Sequence, residues 1–236
     1  MKVKAILFSI FVLSALSLSA QLSDNIKRHY TNSFDVFTDL LVNTPENFSP
    51  RAINQGFGMS ASYVIPFEKS NFSVAIGAGV SFHNFYSDAL PKDAIPTDLQ
   101  SESWGEDFYF QKIDSIQNGL SYTKNKIALT YVDIPIELRF CAKSGVKFSA
   151  GIKLGFLVNS LSKYKGTDFI YGTESTIKYK KCNIDNLSSF QLGPVVRVGW
   201  KWFSAYAAYS LIPVYDATGG SKINPISLGI SFTPGY

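Results

Sequence analysis

In residues 53–67, INQGFGMSASYVIPF, the odd positions carry Ile53, Phe57, Met59, Ala61, Tyr63, Ile65 and Phe67, with Gln55 the one break. The even positions carry Asn54, Gly56, Gly58, Ser60, Ser62 and Val64. A two-residue period puts alternate side chains on opposite faces of a strand. One face is therefore bulky and apolar, and the other is small. Residues 71–86 repeat the pattern: Phe72, Val74, Ile76, Ala78, Val80 and Phe82 oppose Ser73, Ala75, Gly77, Gly79, Ser81 and His83. So do 146–160, 190–200 and 224–232. In 131–140, YVDIPIELRF, Val132, Ile134, Ile136, Leu138 and Phe140 oppose Asp133, Glu137 and Arg139.

Segments 32–42, 53–67, 71–86, 126–140, 146–160, 190–200, 203–213 and 223–233 make eight predicted strands. Residues 203–213 alternate less cleanly, and 32–42 also fits a helix. Three connections are short: Glu68–Ser70, Cys141–Gly145 and Lys201–Trp202. Two of the others, at about 87–125 and 161–189, are long. Tight turns at one end and long loops at the other are the asymmetry of an outer-membrane barrel. Within the first long loop, Asn118-Gly119 favours a type I′ turn. It predicts a small hairpin between Phe108–Ile113 and Leu120–Thr123. Pro135 lacks a ladder donor and predicts a bulge or kink in its strand.

Compartment follows from the first twenty residues, MKVKAILFSIFVLSALSLSA. Lys2 and Lys4 precede an apolar run from Ile6 to Leu18, and Ala20 ends the segment. This reads as a signal peptide over 1–20, with 21–236 as one barrel domain. Without Lys2 and Lys4 the formal charge falls from +4 to +2, which is no nucleic-acid balance. No later stretch approaches the ~20 apolar residues of a membrane helix. The two fates left are a soluble barrel and a membrane barrel. A soluble barrel would turn its charged face to water, but here the polar face is Gly, Ser and a few charges. The opposite face is Val, Ile, Leu and Phe, which suits lipid. The expected fold is all-β: an eight-stranded antiparallel up-and-down transmembrane β-barrel. Phe67, Phe72, Phe140, Phe148, Trp200, Trp202, Phe203 and Phe232 fall near its periplasmic ends as an interfacial girdle. Cys141 and Cys182 fall at opposite ends, too far apart for a disulfide.

The chain resembles the PorT-like outer-membrane β-barrel proteins of Bacteroidota. The resemblance rests on YVDIPIELRF at 131–140 and SNFSVAIGAGVSFHNFYS at 70–87. It continues through FQLGPVVRVGWKW at 190–202, YSLIPVY at 209–215 and PISLGISF at 225–232. Ser227, Gly229 and Phe232 look like the last-strand signal read by barrel-assembly machinery. The resemblance implies a monomeric barrel. Some relatives serve protein secretion and gliding.

Parity places Asp35, Asp39, Asp133, Glu137, Arg139, Lys147, Lys153, Arg197 and Lys201 inside the barrel. In an eight-strand lumen such charges must pair or be wet. The reading is structural filling rather than a transport path. Lys163, Lys165, Lys178, Lys180 and Lys181 crowd the second long loop, where the phosphates of lipopolysaccharide are a candidate contact. His83 and Ser81 share a face, but it is the inward one. A lipid-acting enzyme needs its nucleophile and base at the lipid-facing rim. The sequence holds no H-E-x-x-H, no P-loop and no metal-type Cys/His cluster, so no cofactor is expected. The expectation is a non-enzymatic structural or interaction barrel that meets outer-membrane lipid and an unidentified protein. The alternatives are an accessory component of secretion or transport and a lipid-modifying enzyme.

Overall fold

A computed structural model describes residues 29–96, 99, 110–116, 120–215 and 222–234. Residues 1–20, expected to be a signal peptide, lie outside the described residues. Eight long or medium strands form the wall. In chain order these are β1 (Tyr30–Val42), β2 (Gln55–Pro66) and β3 (Phe72–Tyr86), then β6 (Tyr122–Cys141) and β7 (Val146–Thr167), and last β9 (Phe190–Trp200), β10 (Phe203–Tyr209) and β11 (Asn224–Phe232). Three short strands stand above the wall: β4 (Ala89–Pro91), β5 (Phe110–Lys112) and β8 (Thr176–Cys182). Residues 32–42 are strand, not helix.

Each wall strand pairs antiparallel with its neighbour along the chain, and β1 pairs with β11 to close the ring. Closure leaves no unpaired edge, which hydrocarbon demands because it offers backbone groups no water. The two faces sort as the alternation requires. Val132, Ile134, Ile136 and Leu138 are exposed on the outside, while Asp133, Glu137 and Arg139 are buried within. The small face makes room for the inward charges: a Cβ on Gly155 would stand 2.6 Å from Asp133 Oδ1 and 2.8 Å from Gln191. At the turn end, Phe72 packs tilted against Phe140 (ring centroids 5.0 Å apart) and Phe203 against Phe232 (5.2 Å). Phe148, Trp200 and Trp202 are exposed in the same girdle. The tight turns use left-handed backbone at Lys69, Gly145 and Lys201. Lys201 therefore sits exposed in a turn, with Nζ 4.4 Å from the Trp200 ring centroid, and is not an interior charge.

Two local expectations are corrected. Pro135 causes no bulge. The β3–β6 register is the same on both sides of it, and the ladder merely skips Gly77 and Ala78. The skip follows from the missing N–H. The register shift lies higher, where Thr130 faces Asn159 but Tyr131 faces Leu157. Val158 is the extra residue. The hairpin around Asn118-Gly119 is also not as expected. Residues 117–119 lie outside the described residues, and Phe110–Lys112 pairs with Ala89–Pro91 instead of Leu120–Thr123. A short helix, Ile113–Ile116, follows it.

The second long connection is only partly loop. Strand β7 runs on to Thr167 and returns as β8, pairing Leu161–Thr167 with Thr176–Cys182. Asp168 caps this hairpin, accepting the backbone N–H groups of Ile170 (2.9 Å) and Tyr171 (3.2 Å). With β4, β5 and the short helix it encloses Leu90, Ile95, Ile113, Leu120, Tyr164 and Phe169. A folded head thus rises from one side of the barrel.

Both cysteines are free, Cys141 at the turn end and Cys182 exposed on the head. A membrane-impermeant maleimide should label Cys182 in intact cells carrying Cys141→Ser. In Cys182→Ser cells it should reach Cys141 only after the outer membrane is permeabilised. The reverse order would invert the topology.

Candidate functional site

The lumen is layered by charge. Nearest the turns, Glu137 accepts from Arg139 Nε (3.1 Å) and pairs with Arg197. Arg197 reaches Asp35 at 2.9 Å, donates to Ser231 Oγ at 3.2 Å and lies over the Tyr206 ring. Arg139 also donates to Thr31 Oγ1 at 2.6 Å. One strand level up, Lys153 Nζ stands 3.5 Å from Asp133. The inward carboxylates Asp35, Asp39, Asp133 and Glu137 are matched by Arg139, Lys147, Lys153 and Arg197. Near-neutral pairing is what makes buried charge tolerable where desolvation is severe. The voids between these layers are about 20 Å³ each.

Above the ion pairs lies a hydrogen-bonded chain. Ser227 Oγ donates to Asp39 Oδ1 (2.6 Å), Asp39 Oδ2 meets His83 Nδ1 (2.8 Å), and His83 Nε2 meets Ser81 Oγ (3.3 Å). The order carboxylate, imidazole, hydroxyl is that of a nucleophilic triad. Its setting is not. All three side chains are buried, and Phe37, Phe85 and Tyr131 ring the imidazole at 5.1–6.0 Å. The void beside His83 is about 20 Å³, far below the ~300 Å³ of a small ligand pocket. Above it, Phe48, Phe85, Phe110, Ile127, Leu129, Tyr131 and Tyr215 close the barrel mouth as an apolar core.

The head carries the second cluster. Lys163 faces Lys126 on one side and Lys180 on the other; Lys165 faces Lys124 and Lys178. Antiparallel partners share a face, so these six lysines form two rows of three across β6, β7 and β8. Lys124 and Lys126 lay outside the loop cluster read from sequence, although Lys-x-Lys spacing in both segments was a visible signal. Lys181 departs from the set. It faces Ser162 on the opposite side of β8, near Asp93. Burial holds the Asp93 carboxyl above the usual carboxylate range, with the backbone N–H of Asp185 (3.1 Å) as a partial offset. Ile177 and Tyr179, between the lysines, turn inward onto the head core.

Residues 57–216, more than half of the chain, match the family described as outer membrane protein beta-barrel domain. The chain belongs to this family. The match takes in the head lysines and the lumen charges on β6, β7 and β9, while Thr31, Asp35, Asp39, Ser227 and Ser231 lie outside it. No curated protein matches the chain. Among solved structures, the chain is similar to Ail, the attachment invasion locus protein of Yersinia pestis, in complex with the heparin analogue sucrose octasulfate. Identity is 12%, with 87% of this chain and 97% of that chain covered at a TM-score of 0.36. A second Ail structure gives 11% identity, the same coverage and a TM-score of 0.36.

Glu137→Leu in this outer-membrane barrel would leave two guanidinium groups facing each other without their shared carboxylate. Loss of one partner of a buried ion pair costs about 3–5 kcal/mol. Urea unfolding in detergent micelles should show that loss, and Glu137→Gln a smaller one. Unchanged unfolding in both would show that the pairs add no net stability.

Proposed function

We propose that this chain is a non-enzymatic, closed-lumen barrel of the outer membrane, of the PorT-like kind, that works as an interaction platform through its outer head. The observation that supports it most is the contrast between the two ends of the fold. The lumen is filled by paired charge and capped by an aromatic core, so it offers a solute no route. The head, by contrast, spends two extended strands and a second apolar core on a surface outside the membrane. A structure of that kind has no role in closing the barrel. Its role is recognition. The PorT-like motifs at 131–140 and 190–215 support the same reading, and insertion by barrel-assembly machinery follows from Ser227, Gly229 and Phe232. A monomer suffices, because the ring closes on its own strands.

Two other readings make different predictions. A transport component would conduct, and a lipid-modifying enzyme would use Ser81. The purified barrel should give no steady conductance in a planar bilayer, and Ser81 should not react with a fluorophosphonate probe. Photocrosslinkers placed on β8 should capture a protein partner in the native membrane. Crosslinks confined to the lipid-facing wall would sink the platform reading. Steady pores would favour transport, and labelled Ser81 would revive hydrolysis.

A further inference from the structure

Each wall strand has a strand on both sides, but β8 stands at the end of the sheet, and its partner among the described residues is β7 alone. The register fixes which of its backbone groups that pairing uses. In an antiparallel ladder, opposed residues alternate between pairs that exchange both backbone hydrogen bonds and pairs that exchange none. Just beyond the two ends of the β7–β8 register, the Asn183 N–H donates to the Ser160 carbonyl (3.1 Å) and the Asp168 N–H to the Ser175 carbonyl (2.9 Å). Both bonds fall on odd-numbered residues of the β8 side. The bonded residues within β8 are therefore Ile177, Tyr179 and Lys181. Thr176, Lys178, Lys180 and Cys182 aim their N–H and C=O groups away from β7, and these same four residues are exposed.

This open edge lies outside hydrocarbon. Leu161 and Thr167, the β7 residues opposite the two ends of β8, stand about 34 and 49 Å above Phe148 at about 3.4 Å per residue and a tilt of about 40°. Hydrocarbon about 30 Å thick that begins at the Phe148 girdle ends below both. In water an unpaired edge is tolerated, and it is also a template for another extended chain.

Charge selects the chain that fits. Lys178 and Lys180 stand about 7 Å apart on the exposed face, while Ile177 and Tyr179 on the other face pack against the head core. A strand added at this edge sets its own side chains directly opposite the two lysines, where opposite charges attract and like charges are destabilising. A second copy of β8 laid antiparallel along its full length would set Lys178 of each copy against Lys180 of the other. The edge therefore rejects itself. A segment with acidic residues at alternate positions and apolar residues between them matches both faces.

We infer that the open edge of β8 is a docking site for an extended acidic segment of a protein partner, added antiparallel as a further strand with carboxylates opposite Lys178 and Lys180. The inference rests on the platform reading and deepens it, by naming the edge and the chemistry of the partner.

The test uses the full-length barrel in neutral micelles and a fluorescein-labelled peptide, Thr-Val-Glu-Val-Glu-Val-Thr, with binding followed by anisotropy. Replacing both Glu residues of the peptide by Lys should weaken binding at least about tenfold. N-methylation of the two Glu residues removes the donors aimed at β8 and should weaken it as much. N-methylation of the Val residues, whose N–H groups point away, should leave it within about twofold. Lys178→Glu/Lys180→Glu should reverse the preference between the Glu and Lys peptides. Heat-modifiable gel migration shows whether the variant is folded; should it not fold, the methylation contrast on wild type decides. No binding of the parent peptide would overturn the assignment. So would equal binding of the two methylated forms, which would make the lysines a general anion surface. A wild-type dimer that Lys180→Pro converts to monomer would assign the edge to a second copy and overturn the acidic partner. The peptide is read on the purified barrel, so its failure removes the edge site and leaves the platform to the crosslinks in the native membrane.

Discussion

Everything in this fold depends on the pairing of β1 with β11. Hydrocarbon offers no water to a backbone N–H, and one open seam would leave a row of such groups unsatisfied. Closing the sheet with eight strands removes the seam but fixes the bore, and an eight-strand bore is about the width that side chains can fill. From that follow the small inward residues at Gly56, Gly58, Gly79, Gly151 and Gly155. So does the exclusion of any large channel. What remains inside must pack with itself.

The interior answers with paired charge. Arg197 bridges Asp35 and Glu137, and Glu137 is shared with Arg139, so β1, β6 and β9 are tied at one level. Paired charges of this sort give weak net stability but specify which strand levels can face one another. The Asp39–His83–Ser81 chain belongs to the same scheme. Its atoms have the order of a catalytic triad, yet aromatic rings occupy the space a substrate would need. Geometry alone is not an active site.

The wall was legible in the sequence because lipid makes its demand locally. Every second residue of YVDIPIELRF must be apolar whatever the rest of the chain does, and parity alone then turns Asp133, Glu137 and Arg139 inward. The same rule reached Asp35, Asp39, Lys153 and Arg197. It failed at Lys201, where a left-handed turn residue ends the strand and parity no longer applies. At Pro135 parity held, but the expected bulge did not form, because the missing donor is absorbed by a gap in the ladder. The head was less legible. Outside the bilayer no rule forces alternation, so TIKYKKC read as loop although Ile177 and Tyr179 alternate with Lys178 and Lys180.

The sequence by itself determined a closed barrel, its inside and its outside, because those depend on a two-residue period and on the cost of polar groups in hydrocarbon. Which charges meet was decided only by the tertiary structure, since strand register and not strand pattern brings Arg197 to Glu137 across 60 residues. The same holds for the lysines. Even positions of β7 face lipid below Val158, and without a bulge Lys163 and Lys165 would point the same way as Lys153, toward the lumen. One extra residue reverses the parity above it. It places them in line with Lys124, Lys126, Lys178 and Lys180 on the outer face, a choice visible only once β6 is paired with β7.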